Sequence, residues 1–216
     1  MNLSKEKIQE ILQKEIILDR KHFAYLSLTH KNELNFRDIL VLYLQDKYEN
    51  KEYSFGRELK KIDLSIIHDS KIKTVIELKS MYMTEILYKQ QTHLTGLQND
   101  FNKSFKLTDY PISNTEGDQI SDIYGIMLYV FAEDTCRKKR SGAQLKRDIP
   151  ELTYPTLITK RNDGIKSLIK RMEDKTNQLF PDNKYEQTEI FLIEEKLSYK
   201  DIEVSLYGQV IKALND

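Results

Sequence analysis

One cysteine in 216 residues, Cys136, excludes an internal disulfide and any cysteine-built zinc centre, leaving a reduced thiol as its ordinary role. Net charge is absent too, since 34 Lys and Arg stand against 34 Asp and Glu. A neutral chain that handles nucleic acid has to concentrate its cations locally, so their distribution matters more than their sum. No apolar run reaches membrane-spanning length, and residues 1 to 30 carry charges throughout, where a secretory signal needs an uninterrupted apolar centre. This points to a cytoplasmic protein with no membrane partner. The motifs GxxxxGKS/T, HExxH and GxSxG are missing, which removes sequence support for nucleotide hydrolysis, zincin and serine-hydrolase chemistry. Repeats and low-complexity segments are missing as well.

What is present is an ordinary globular composition, 39% hydrophobic and 31% charged, long enough to bury a sizeable core. The most informative stretch is 62–79, IDLSIIHDSKIKTVIELK, two short apolar runs around a polar turn. Ile62, Leu64 and Ile66 mark one strand, Ile72, Val75, Ile76 and Leu78 a second, and Asp69 and Ser70 are turn formers. A three-residue loop of Asp69, Ser70 and Lys71 pairs residue 68 with 72 and sets Asp63 directly opposite Glu77. Glu77 and Lys79, two apart, share a face. Carboxylates that close repel unless a cation lies between them, and such donors suit Mg²⁺, which needs only one or two protein carboxylates beside water and phosphate oxygens. A lysine beside that ion orients or deprotonates a water aimed at phosphorus. By spacing alone, the same charges fit the wet face of an antiparallel hairpin equally well.

Asp63, thirteen intervening residues, and then Glu77, Leu78 and Lys79 resemble the signature of the PD-(D/E)XK nuclease superfamily. Gly56 and Arg57 ahead of Asp63, and the IELK run ending at Lys79, extend the likeness; Ile62 stands where the superfamily's proline is found. The resemblance covers about residues 33 to 106. It implies an α/β fold with a restriction-endonuclease-like core, a central mixed β-sheet flanked by helices. It also implies hydrolysis of DNA phosphodiesters with Mg²⁺, Mn²⁺ being a substitute, in the manner of a restriction-type or mobile-element endonuclease. In that reading Asp63, Glu77 and the Leu78 backbone carbonyl hold the metal, and Lys79 positions the attacking water. Glu33 supports the metal or its waters, with Gln90 and His93 on the following helix as a second layer. An acid in a first helical turn is favoured by the helix dipole in any protein, and a histidine at the polar edge of a helix is ordinary, so Glu33 and His93 rest on the resemblance. The alternative is a nuclease-like module without chemistry that binds nucleic acid or a protein partner. The intact Asp, Glu and Lys trio argues against it.

Around this core the chain reads as one domain over 1–216, with a helical segment at 1–30, a catalytic core at 31–132, and a basic loop, a helix and terminal strands at 133–216. Ser4 caps a first helix with Ile8, Ile11, Leu12 and Ile16 on one face, a packing or homodimer-contact element. A second helix starts near Asn32 and carries Leu40, Tyr43, Leu44 and Tyr48. Thr84 caps a long helix striped by Leu87, Leu94, Leu97, Phe101 and Phe105. The apolar run from Ile123 to Ala132 suits a central strand beside the hairpin, reached by a right-handed crossover through that helix. Arg137, Lys138, Lys139, Arg140, Lys146 and Arg147 form the densest basic segment, expected to border the carboxylate cleft and hold DNA phosphates. A helix follows around Asp163 to Asp174 with Lys166, Lys170 and Arg171 outward. The tail offers strands at Ile190 to Ile193 and Ile202 to Leu206.

Overall fold

The computed structural model describes residues 3–16, 18–29, 32–49, 52–59, 62–88, 92–106, 120–158 and 164–214. Three helices lead: α1 (Lys5–Glu10), continued by a π-helical turn (Ile11–Glu15), α2 (Arg20–Thr29) and α3 (Glu33–Tyr48). Strands β1 (Tyr53–Leu59), β2 (Ile62–His68) and β3 (Lys71–Tyr82) come next, then a 3-10 helix (Met83–Tyr88), α4 (Thr92–Lys106) and β4 (Asp122–Asp134). The remainder is α5 (Gly142–Asp148), a 3-10 turn (Pro155–Leu157), α6 (Ile165–Leu179), and strands β5 (Tyr185–Gln187), β6 (Phe191–Tyr199) and β7 (Ile202–Ala213). Among the described residues seven strands form one open mixed sheet in the order β1-β2-β3-β4-β7-β5, with β6 also on β7. Of these strand pairs, β3 and β4 run parallel and the others antiparallel.

Helices cover both faces. On one, Phe23 of α2 and Phe36, Leu40 and Leu44 of α3 pack on Leu64, Ile76, Leu78, Ile126 and Leu128. On the other, Leu94, Leu97 and Phe101 of α4 and Leu168 and Met172 of α6 pack on Val75, Met81, Ile123 and Met127. Burial on both faces is why β4 reads as a nearly unbroken apolar run. Ser4 does cap α1, accepting the Lys7 N–H, and Ile8, Ile11 and Leu12 enter the chain's own core, so this helix serves packing within the chain. Among the described residues no helix is long and apolar enough to cross a membrane.

The hairpin loop departs from expectation while its consequence survives. The loop has two residues, Asp69 and Ser70, both left-handed with φ of 49° and 60°, and His68 pairs with Lys71. Such a turn matches the twist of the flanking strands. A bulge between Ile66 and Ile67 then shifts the register by one, so that Ile66 pairs with Thr74 and Leu64 with Ile76. Thr84 does not cap a long helix. Its hydroxyl donates to the Leu157 carbonyl at 2.5 Å, and Glu85 Oε1 accepts the Tyr82 N–H at 2.9 Å, so the chain tightens into the 3-10 helix before α4 begins. The helical segment expected at 1–30 holds α2 as well as α1, while β1 was not anticipated.

Gly125 sits on β4 opposite Glu77 of β3. A Cβ there would lie 2.7 Å from Phe101 Cζ and 2.8 Å from Leu97 Cδ2, so its bare backbone lets α4 lie close to the sheet. Gly125→Ala is therefore expected to destabilise the protein by about 1–3 kcal/mol through overpacking. Denaturant unfolding checks this as a lowered midpoint at unchanged slope.

Candidate active site

The site begins where β2 leaves β3. The ladder ends at Leu64 with Ile76, and beyond it the Asp63 side chain meets Glu77, to which it is hydrogen-bonded. There the Asp63 carboxylate replaces a strand partner, its Oδ2 accepting the Leu78 N–H at 2.8 Å. Glu77 and Lys79 alternate with Ile76 and Leu78 and share the face of Val75 and Met81, so both point to the α4 side of the sheet.

Glu77 is only 5% exposed. Burial, then the negative charges of Asp63 and Asp100 and a hydrogen bond with Asp63, raise its carboxyl to about 8 against the weaker pull of Lys79. Lys79 Nζ lies 2.8 Å from Asp100 Oδ2 and 3.8 Å from Glu33 Oε1. Burial alone would lower the Lys79 pKa, but the hydrogen bond to Asp100 and the charge of Glu33 outweigh it and hold the ammonium form. Asp100 is likewise pushed up by burial and brought below its usual range by hydrogen bonds from Lys103 and Lys79. Lys103 Nζ stands 2.7 Å from Asp100 Oδ1.

Four carboxylates from α3, β2, β3 and α4 thus gather with two ammonium groups. With Glu77 ionised, two negative charges remain, matching one divalent cation. Among the described residues no group of three or more His, Cys, Asp or Glu side chains stands in metal-holding geometry. A facing carboxylate pair with water and phosphate oxygens is nevertheless the donor set Mg²⁺ commonly takes. The facing Asp63 and Glu77 side chains fit that requirement.

Of the residues expected from sequence, Asp63, Glu77, Lys79 and Glu33 come together. Leu78 contributes the backbone they share. Gln90 lies outside the described residues. His93 opens α4 with Nε2 3.5 Å from Glu85 Oε2, and both line a cavity at the end of β3. Asp100 and Lys103 were missed, although an acid flanking the Leu97 and Phe101 stripe was a readable signal. Arg57 pairs with Asp38 at 3.0 Å.

The basic segment does not border the carboxylates, because it follows the carboxyl end of β4. Seven residues separate Met127, level with Lys79, from Asp134, about 23 Å at the rise of a strand. Arg140 is bound within the fold, its guanidinium and backbone N–H donating to Asp134 and its Nη1 3.7 Å from both Asp148 and Asp201. Lys146 donates to the Pro150 and Leu152 carbonyls, and Arg147 pairs with Asp148. Arg137, Lys138 and Lys139 stay exposed. No protein-family model matches the chain, and no curated protein or solved structure matches it significantly.

The raised Glu77 pKa has a defined sign. Between pH 4.5 and about 8 the folded state binds more protons than the unfolded chain, so metal-free stability falls as pH rises through that window. Glu77→Gln is expected to remove that fall and to gain ~1–3 kcal/mol at pH 8, at about 1.4 kcal/mol per pKa unit discounted for relaxation of the coupled pair. Mg²⁺ at pH 8 should raise the Tm of the unmodified protein and not that of Glu77→Gln. Thermal melts at pH 5 and pH 8, with and without Mg²⁺, check both.

Proposed function

We propose that the chain is a Mg²⁺-dependent nuclease of the PD-(D/E)XK type, hydrolysing DNA phosphodiesters from a restriction-endonuclease-like core. The observation that carries this reading is the contact of Asp63 with Glu77 at the end of the hairpin ladder, with Lys79 on the same face as Glu77. The order α3, hairpin, α4 and parallel β4 supports it, as does the arrival of Glu33 beside Lys79.

Asp63 and Glu77 would hold the metal, with the Leu78 carbonyl on the same side of its extended residue as the N–H that Asp63 accepts. Bound there, Mg²⁺ supplies Lewis-acid polarisation of the phosphoryl oxygens and a water acidified for attack. Lys79, kept protonated, acts as a cation that orients the water and stabilises developing charge, not as its base. Asp100 is a positioning residue that fixes the ammonium group from α4. Because Glu77 must lose its proton to bind a cation, metal affinity rises with pH up to about 8.

The test is incubation of plasmid, linear duplex and single-stranded DNA with and without Mg²⁺. Lys79→Ala is expected to cut cleavage by about 10²–10³-fold, as removal of one transition-state donor does, with binding in Ca²⁺ nearly unchanged. Glu77→Ala should abolish cleavage and also weaken binding in Ca²⁺. Absence of Mg²⁺-dependent cleavage on every nucleic acid, with binding retained and indifferent to both substitutions, would make the chain a binding module instead.

Phosphate neutralisation is the other measurable part. Replacing Arg137, Lys138 and Lys139 together by alanine should flatten the salt dependence of DNA binding, by up to ~0.9 in log–log slope for each duplex phosphate that is no longer neutralised. Arg140 is left intact because of its ion pair with Asp134. An unchanged slope over a salt series returns these side chains to ordinary surface.

A further inference from the structure

Beyond Leu78, β3 continues to Tyr82 past the start of β2, and β4 runs parallel beside it. Ligands of open α/β sheets lie at the carboxyl ends of such strands. A cavity of about 150 Å³ lies there, lined by Ser80, Tyr82, Glu85, His93, Tyr154 and Leu157 among others. It is a built site. The 153–157 wall is fastened by the Thr84 hydroxyl on the Leu157 carbonyl and by the Thr153 N–H on the Leu28 carbonyl. Glu85, its side chain 9% exposed, is fixed by the Tyr82 N–H, and His93 stands beside it. Tyr154, 43% exposed, meets Tyr82 edge to face with ring centroids 6.0 Å apart.

The shape and chemistry limit the occupant. A dry cavity near 150 Å³ takes one benzene-sized ring. This one adds a carboxylate and an imidazole, which suit the ring donors and acceptors of a heterocycle, and an exposed tyrosine, which suits stacking. Ser80 follows Lys79 on β3 with its side chain on the opposite face, so the cavity adjoins the lysine only across the strand edge that β2 leaves uncovered beyond Leu78. The exposed Arg137, Lys138 and Lys139 lie further in the same direction, past the end of β4.

We infer that this cavity receives one single-ring nucleobase of a single-stranded substrate, a pyrimidine drawn out of its stack beside the scissile phosphate. This rests on the nuclease reading above and names its substrate class. A paired base cannot enter the cavity, so duplex is the poorer substrate unless a nucleotide is extruded.

The experiment measures binding of labelled oligo(dT), oligo(dT) with one abasic position, and blunt duplex in Ca²⁺, and cleavage of each in Mg²⁺. Unmodified protein should bind oligo(dT) at least ~10-fold tighter than duplex, since duplex must first unpair a base. Tyr154→Ala should cost about 5- to 100-fold on oligo(dT), the range for removing one base-stacking aromatic, with the Mg²⁺-induced rise in Tm unchanged. Leu157→Trp, which fills the cavity, should weaken oligo(dT) binding to the same extent while Tyr154 remains. Abasic DNA should bind unmodified protein as weakly, and Tyr154→Ala should weaken it no further. Equal binding of duplex and single strand, untouched by either substitution, overturns the pocket even if Mg²⁺-dependent cleavage is seen. Cavity-dependent binding without any cleavage supports the pocket and removes the nuclease.

Discussion

One hydrogen bond sets the terms for the site: Asp63 Oδ2 accepting the Leu78 N–H where β2 parts from β3. A regular ladder would satisfy that N–H with a backbone carbonyl and leave Asp63 as an ordinary strand residue. Here a charged side chain satisfies it, which holds the carboxylate at the sheet's opening and in contact with Glu77. The cost is carried by Glu77, buried with like charge beside it and raised to about 8. Ionising a buried carboxyl beside a like charge is costly, and an apolar pair would pack the same place at lower cost, so the arrangement is not explained by folding alone.

The remaining elements make that strained arrangement dependable. Gly125 removes the Cβ that would collide with Leu97 and Phe101, so α4 rests close on the strand opposite Glu77. From that helix Asp100 holds Lys79, and α3 places Glu33 at its other side. The bulge between Ile66 and Ile67 is part of the same design. Without it, the two-residue turn would carry its register through and set Glu77 out of line with Asp63, moving its partner to the other face of the sheet.

Much of this was legible in the chain. The alternation of residues 62–79 located β2 and β3, and the apolar run from Ile123 gave β4 and its place beside the hairpin. The loop length was misjudged because Asp and Ser tolerate left-handed backbone, which shortened the turn, and a bulge leaves no signal in alternation. Asp100 went unnoticed because helical periodicity highlights what is apolar, and its meaning came only from the lysine it meets across space. The basic segment shows the opposite failure. Its density in sequence suggested a single phosphate-binding surface, whereas Arg140 and Lys146 tie together the loop and short helix in which they lie.

A neutral chain therefore divides its cations by task. Lys79 and Lys103 pair with the carboxylates of the site and set its local charge; Arg140 and Lys146 hold backbone and loop; Arg137, Lys138 and Lys139 lie exposed past the end of β4. Between the first group and the last lies the cavity at the ends of β3 and β4. On the proposed nuclease reading, a strand running from the carboxylates toward those cations would pass this cavity, and a flexible single strand would lower a base into it where a duplex would have to open first. On that reading the spacing of the charges and the hollow between them favour the same kind of polymer.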